Sequence, residues 1–127
     1  MKKLLWGILL FLPLIILSCK KNGTGGEHEL SVSVKHHEQL IPGATVYIKY
    51  GAKEFPGSDV SKYNDSRVCG ITGHARGHVH FDKLLKGDYY LYAVGYDSTI
   101  SMPVKGGVPV QLKKKHSHTD VTVPVVE

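Results

Sequence analysis

The chain has 127 residues, of which 16 are Lys or Arg and 11 are Asp or Glu, so its formal net charge at neutral pH is +5. This length accommodates one domain of ordinary size rather than several. The surplus of positive charge is small, and the only dense basic run is residues 113–115, which we interpret as a solvated strand edge or a contact with lipid headgroups. The composition therefore predicts no nucleic-acid partner.

The N-terminal segment has the parts of a secretory signal. Two lysines precede an apolar run over residues 4–17, and Cys19 follows it closely. The run of 14 residues would make a helix about 21 Å long at about 1.5 Å per residue, which is too short for a hydrocarbon core of about 30 Å. We therefore predict a cleaved signal peptide over residues 1–18 rather than a permanent membrane span.

The residues around the predicted cleavage point, Ile16-Leu17-Ser18-Cys19, resemble a bacterial lipobox. The resemblance implies that Cys19 carries acyl chains such as palmitate and becomes the first residue of a mature lipoprotein. Two or more acyl chains anchor a protein stably without inserting it, so the membrane is the first predicted partner. Ordinary secretion with cleavage nearby is the alternative. The basic residues after Cys19 favour the periplasmic side, and we expect a lipid anchor in the bacterial cell envelope, at the outer membrane and facing the periplasm.

A polar, glycine-rich stretch follows the predicted anchor. Residues 20–26 include three glycines and no large apolar side chain, a composition typical of flexible linkers. We predict that residues 19–28 tether the lipid anchor to a folded domain over residues 29–127. If Cys19 is acylated, Cys69 is the remaining thiol, and no disulfide can form within the mature chain.

The pattern after this stretch is that of strands. Apolar and polar residues alternate in short runs, and no window has the three-and-four spacing of an amphipathic helix. Residues 51–65 hold glycine, proline and charges without a period, so we predict a long loop there. The predicted strands are roughly 30–34, 44–48, 66–72, 77–82, 88–96, 99–104, 108–113 and 119–126. About seven or eight antiparallel strands indicate an all-β sandwich.

Three segments resemble one group of sandwich domains: IPGATVYI at 41–48, TGHARGHVHFDKLLKGDYYLYAVGYD at 72–97 and TDVTVPV at 119–125. They are similar to the prealbumin-like domains of the carboxypeptidase regulatory-like and Cna B-like groups. The resemblance implies an immunoglobulin- or transthyretin-like sandwich, with Tyr89 in a tyrosine corner where the phenol bonds back to nearby backbone. Two features depart from the family pattern, since Gly73 stands where Asp is usual and the 51–65 loop is long.

Three closely spaced histidines raise the question of a metal site. The family resemblance places Val79 and Phe81 inward, so His78 and His80 point outward from one face. A helical His-Glu-x-x-His zinc site is excluded, because alanine occupies the glutamate slot and a glycine interrupts the supposed helix. Two interpretations stay open: surface histidines without a role, or a strand site in which His74, His78 and His80 bind zinc or copper.

The direction of other side chains follows from their parity along the predicted strands. Cys69 shares parity with Ile71, so we predict a buried thiol that acts as a small apolar side chain. Tyr90 and Tyr92 have the opposite parity to Tyr89 and are predicted to point outward. Outward tyrosines are common on strand surfaces and are also common interface anchors, so both interpretations of the pair stay open.

Motifs of enzymes known on this scaffold are missing from the sequence. The hydroxyisourate hydrolases that resemble transthyretin close with Tyr-Arg-Gly-Ser, whereas this chain has Pro-Val-Val-Glu at 124–127. No motif matches the iron ligands of the intradiol dioxygenases, and there is no Gly-x-Ser-x-Gly elbow or phosphate loop. We therefore predict no enzymatic activity and no cofactor.

The 51–65 loop is the segment whose residues the family pattern does not explain, and loops on rigid sandwiches commonly carry recognition. We predict a membrane-tethered, non-catalytic binding or accessory module that holds a protein or glycan of the cell envelope. The predicted binding residues are Phe55 and Tyr63 in the loop and Tyr90 and Tyr92 on the neighbouring sheet. The alternative function is a periplasmic zinc- or copper-binding lipoprotein that uses the surface histidines.

Overall fold

A computed structural model describes residues 22–114 and 117–127 of the chain. Their strands are β1 (Thr24–His36), β2 (Gln39–Leu40), β3 (Thr45–Tyr50), β4 (Asp65–Val68), β5 (His78–Leu84), β6 (Gly87–Asp97), β7 (Met102–Leu112) and β8 (His118–Pro124). Two short 3-10 helices, Val60–Lys62 and Gly73–Ala75, lie in loops. None of the helices described is long and apolar enough to cross a membrane. The predicted signal peptide and Cys19 lie outside the described residues.

The strands form two four-stranded sheets. In the first sheet, β1 is flanked by β5 and β8, and β2 pairs with the end of β1. In the second sheet, the order is β4-β3-β6-β7. The predicted all-β sandwich is confirmed. The prediction that all strands are antiparallel is wrong for β1 and β8, which pair in parallel, because β8 follows a strand of the other sheet and no hairpin fixes its direction.

The core lies between the inward faces of the two sheets. In β1, the fully buried residues Leu30, Val32 and Val34 alternate with more exposed polar residues. In β3, Val46 and Ile48 are buried in the same way. The period-two alternation predicted from the sequence is therefore the pattern that packs one sheet on the other.

The first strand begins earlier than predicted. Residues 24–28 were predicted to belong to the tether, but they form the start of β1. His28 is buried, with Nδ1 2.8 Å from the carbonyl oxygen of Lys114 and Nε2 2.7 Å from Thr119 Oγ1. A Cβ atom added to Gly26 would collide with the backbone carbonyl group of Leu84. The glycine therefore serves close packing of two strands here, and the prediction of flexibility is wrong for these residues.

Cys69 is buried as predicted, although the reason given by parity is wrong. The strand predicted over 66–72 ends at Val68, and Ile71 is 71% exposed. Cys69 is 2% exposed and packs in the hydrophobic core, and its backbone N–H donates to the carbonyl oxygen of Ala44 at 2.7 Å. Burial raises the pKa of this thiol to about 11, so it stays protonated and unreactive at neutral pH.

β7 joins two segments that were predicted as separate strands, 99–104 and 108–113. The glycines between them lie within the strand rather than in a turn. A Cβ on Gly106 would collide with the carbonyl oxygen of Pro124, and one on Gly107 would lie 2.6 Å from the Tyr90 ring. Both glycines are therefore explained by the close approach of neighbouring groups.

The predicted tyrosine corner is confirmed where the chain passes from β5 to β6. Tyr89 is fully buried. Its hydroxyl donates to the carbonyl oxygen of Leu85 at 2.5 Å and accepts from the backbone N–H of Gly23 at 2.8 Å. The phenol thus joins the start of β6 to the segment just before β1.

Candidate functional site

Five aromatic residues meet on the outer face of the second sheet, and we call this cluster the aromatic platform. Tyr47 projects from β3, and Tyr90 and Tyr92 project from β6. Phe55 and Tyr63 come from the long loop between β3 and β4, which folds back over the sheet. The strand register brings Tyr47 and Tyr92 together, because the two residues lie directly opposite each other.

The rings of the aromatic platform contact one another. The Phe55 centroid lies 5.3 Å from that of Tyr92 and 5.8 Å from that of Tyr90. Tyr63 stacks on Tyr92 at 5.8 Å with an interplanar angle of 25°. Tyr47 lies 5.8 Å from Tyr63 and 6.3 Å from Tyr92. All these separations fall in the range of roughly 4.5–7 Å that favours aromatic pairs, so the loop completes a surface that the two strands begin.

Hydrogen bonds hold the loop against the sheet. Lys49 Nζ donates to the carbonyl oxygen of Lys62 at 2.8 Å. The backbone N–H of Asn64 donates to a carbonyl oxygen of β3 at 2.9 Å. Within the loop, the Tyr63 hydroxyl donates to the carbonyl oxygen of Gly57 at 2.9 Å. The loop rings are therefore positioned before any ligand arrives.

Exposure within the aromatic platform is uneven. Tyr90 and Tyr92 point away from the core, as predicted, yet they are only 8% and 5% exposed. The reason is that the rings of Phe55 and Tyr63 lie over them. Phe55 itself is 53% exposed. The ring that meets the solvent is therefore the loop phenylalanine rather than the strand tyrosines.

Three of the four phenol hydroxyls of the platform are free to bond. Those of Tyr47, Tyr90 and Tyr92 have no hydrogen-bond partner in the described part of the chain. No buried side-chain oxygen in that part lacks a partner, so these hydroxyls reach solvent. Burial raises the pKa of Tyr90, and burial together with the two neighbouring phenols raises that of Tyr63 to about 12. The phenols of Tyr63 and Tyr90 are therefore neutral near pH 7.

The structure brings the sequence-predicted binding residues into this one cluster: Phe55, Tyr63, Tyr90 and Tyr92. Sequence reasoning missed Tyr47. The outward direction of Tyr47 follows from its alternation with Val46 and Ile48. Its place opposite Tyr92 depends on the strand register, which the alternation alone does not fix.

The three histidines of the predicted metal site do not converge. His74 is exposed in a short 3-10 helix. His78 and His80 project outward from β5, and each Nδ1 lies against a serine hydroxyl of β1, at 2.9 and 2.8 Å. Within residues 22–114 and 117–127, no group of three or more His, Cys, Asp or Glu side chains could hold a metal ion.

A second polar group, not predicted from the sequence, lies at one end of the sandwich. His36 is 4% exposed and lies between two carboxylates. Its Nδ1 is 2.8 Å from Asp97 Oδ2, and its Nε2 is 3.0 Å from Glu127 Oε2. A cavity of about 350 Å³ adjoins them, lined also by His37, Glu38, Gln39, Thr99 and Ile100. The residues that meet are far apart in the chain, so no local pattern signals the contact.

The charges of this group stabilise one another. The hydrogen bond to Asp97 raises the pKa of His36, while burial opposes the rise and Glu127 adds to it. Hydrogen bonds from Thr99 and then from His36 hold the pKa of Asp97 at about 2. The pKa of Glu127 is lowered by a hydrogen bond from the backbone of Glu127 itself and then by the hydrogen bond from His36. The group therefore ties the ends of β1 and β6 to the segment after β8, and we assign it to stability.

No protein-family model matches the chain, and no curated protein matches it. Among solved structures, the chain is similar to a Pseudomonas aeruginosa protein described as a "putative carbohydrate binding protein", whose crystal structure was determined at 2.61 Å. The match covers 81% of this chain and 91% of that chain, with a TM-score of 0.50 and 13% sequence identity. At this identity the likeness concerns the fold alone, and it agrees with the all-β sandwich.

Proposed function

We propose that this domain is a non-catalytic binding module that holds a glycan on the aromatic platform. The observation that carries the proposal is the arrangement of its rings, in which an ordered loop places the exposed Phe55 over Tyr90 and Tyr92. Aromatic side chains that a rigid scaffold presents to solvent are typical anchors of binding sites. The free hydroxyls at the edge of the same cluster add polar specificity.

Sugars have the chemistry that complements this surface. A pyranose ring has one face of C–H groups, which packs on an aromatic ring, and a rim of hydroxyls, which hydrogen-bonds. Tyrosine offers both an apolar ring and a polar tip. The platform supplies Phe55 for packing and the hydroxyls of Tyr47, Tyr90 and Tyr92 for hydrogen bonds. The description of the Pseudomonas protein as a "putative carbohydrate binding protein" agrees with this choice of ligand.

Removal of the exposed ring tests the proposal. Phe55→Ala is expected to weaken glycan binding at least about tenfold, because truncating an aromatic anchor costs roughly 2 kcal/mol or more and 1.4 kcal/mol corresponds to a factor of ten. The measurement is isothermal titration calorimetry of the full-length protein in detergent, with a glycan selected by array screening. Because Phe55 is exposed, the unfolding midpoint should stay close to that of the wild type.

Tyr96→Ala is the matched control for this experiment. Tyr96 is 55% exposed and projects from β6 on the same side as Tyr92. Its ring contacts no other aromatic ring in the described residues. We expect this variant to bind as the wild type does. Equal losses in the two variants, or an array on which the wild type retains no glycan, would contradict the proposal.

We also propose that the module is tethered through an acylated Cys19 to the outer membrane, where it faces the periplasm and reaches envelope glycans. Cys19→Ala is expected to leave the protein unprocessed or to move it from the detergent phase to the aqueous phase, because the thiol is the acylation site and the acyl chains supply the membrane affinity. Triton X-114 partitioning measures the phase, and the mass of the chain shows whether it is processed. Cys69→Ala is the control, since the Cys69 thiol is buried in the domain. A Cys19→Ala chain that is processed and still partitions as the wild type does would rule out the anchor.

A further inference from the structure

Lys49 places an ammonium group beside the aromatic platform. It projects from β3 on the side of the platform, directly opposite Tyr90 of β6. Its Nζ donates to the neutral carbonyl oxygen of Lys62 at 2.8 Å. Across residues 22–114 and 117–127, no carboxylate oxygen lies within 4.0 Å of this Nζ. The lysine is thus held in place by the loop without a counter-charge.

Other charges on this side of the molecule do not supply the missing partner. Three exposed lysines belong to the loop or to the same sheet: Lys53, Lys62 and Lys105. The acidic residues of the loop before its 3-10 helix are Glu54, which is exposed, and Asp59. Asp59 is committed to the loop, because its Oδ1 accepts hydrogen bonds from the backbone N–H and the hydroxyl of Ser61. Asp88 of β6 lies near Lys53 instead, with its Oδ2 4.0 Å from Lys53 Nζ, so none of these acidic residues pairs with Lys49.

A cation in this position favours an anionic ligand. The Lys49 ammonium has three N–H donors, and one of them is used by the carbonyl oxygen of Lys62. A ligand carboxylate would supply the opposite charge, and hydrogen bonds to a carboxylate are stronger than those between neutral groups. The free hydroxyls of Tyr90 and Tyr92 can donate hydrogen bonds to the same acceptor.

We propose that the glycan held on the platform is acidic, and that it carries a hexuronate whose carboxylate pairs with Lys49 while the sugar ring packs on Phe55. This inference rests on the proposed glycan-binding function and adds the chemical class of the ligand. Neutral glycans with the same backbone bind more weakly, because they leave the Lys49 ammonium without its partner.

Two oligosaccharides with one backbone separate charge from shape. Oligogalacturonate has a carboxylate on each sugar, and its methyl ester lacks the charge. By calorimetry on the full-length protein in detergent, we expect the wild type to bind the acid at least about tenfold more tightly than the ester at low salt. The ratio of affinities should approach one in 1 M salt, where the Debye length falls to about 3 Å.

Lys49→Gln is expected to bring the ratio of the two affinities close to one at low salt. Both ligands are measured on the same variant, so a loosened loop would weaken both and would not remove the difference between them. Lys35→Gln is the matched control, because Lys35 is also a half-buried strand lysine but lies in β1 of the other sheet. It should leave the ratio unchanged.

The outcomes separate this inference from the proposed function. Equal binding of acid and ester by the wild type, with both lost in Phe55→Ala, would overturn the acidic ligand and leave glycan binding in place. An acid preference that persists in Lys49→Gln would also overturn the assignment. If neither oligosaccharide binds while the array identifies another glycan that Phe55→Ala loses, the hexuronate is wrong and the function stands.

Discussion

Replacing Tyr89 with Phe is expected to lower the free energy of unfolding by about 1–3 kcal/mol, the range for leaving a buried polar group without its partner. Phe fills the same space in the fully buried corner. It leaves the carbonyl oxygen of Leu85 and the backbone N–H of Gly23 without the hydroxyl that now joins them. Urea unfolding followed by circular dichroism measures the change, with the slope of the transition compared between proteins.

Tyr50→Phe is the control for the corner. The Tyr50 ring packs edge-on against Tyr89 at 5.7 Å, but its hydroxyl has no hydrogen-bond partner in the residues that the structure describes. Deleting the same atom there should change the free energy of unfolding by about 0.5 kcal/mol or less. A Tyr89→Phe variant as stable as Tyr50→Phe would mean that the corner contributes no stability.

Loss of the imidazole between the two carboxylates is expected to have the second large effect on stability. His36→Leu leaves the Asp97 carboxylate, whose side chain is 5% exposed, without its charged partner. Removing one member of a buried ion pair is strongly destabilising, because the other charge stays desolvated. His118→Leu is the control: this histidine also lies 2.9 Å from a carboxylate, that of Asp120, but is 48% exposed. We expect the urea midpoint to fall several times further for His36→Leu.

The same contact predicts how stability depends on pH. Because the Asp97 contact raises the pKa of His36 above its usual 6.5, this stabilisation is complete below pH 6.5 and is lost as pH rises through the higher folded value. Because the pKa of Asp97 is lowered from 3.8 to about 2, its contribution is present above pH 3.8 and is lost as pH falls towards 2. Stability should therefore be greatest between pH 3.8 and 6.5. We expect the urea midpoint of the wild type to decrease as the pH is raised from 6.5 to 8. If it does not decrease, or if it decreases just as steeply in His36→Leu, this role of His36 is refuted.

The parts of the fold that could be predicted are those that local pattern determines. The alternation of Leu30, Val32 and Val34 with polar residues requires one buried face, so the strand and the face that it buries followed directly. The tyrosine corner was predictable because Tyr89 and its acceptor Leu85 lie in one short motif. The loop was predictable because apolar and polar residues follow no regular period over residues 51–65.

The parts that could not be predicted depend on residues far apart in the chain. Gly26 looks like linker glycine, and only the Leu84 backbone next to it reveals a packing role. The platform forms because one loop folds over β6, and nothing in the loop sequence specifies that direction. No sequence pattern around His36 indicates that its partner is Asp97, which lies 61 residues away in the chain. Four of the five residues of the aromatic platform were therefore named from the sequence, whereas their assembly was not predictable.

The decisive measurement is NMR mapping of aromatic ring protons while the glycan selected by the array is added to the protein. If the platform holds the sugar, the largest shifts belong to Phe55, Tyr63 and Tyr92, whose rings are in contact. Tyr96, on the same strand but apart from the cluster, should shift little. The largest shifts falling instead on the His36 and His37 rings, beside the cavity at the end of the sandwich, would show that the sugar binds elsewhere and that the aromatic platform is not the binding site.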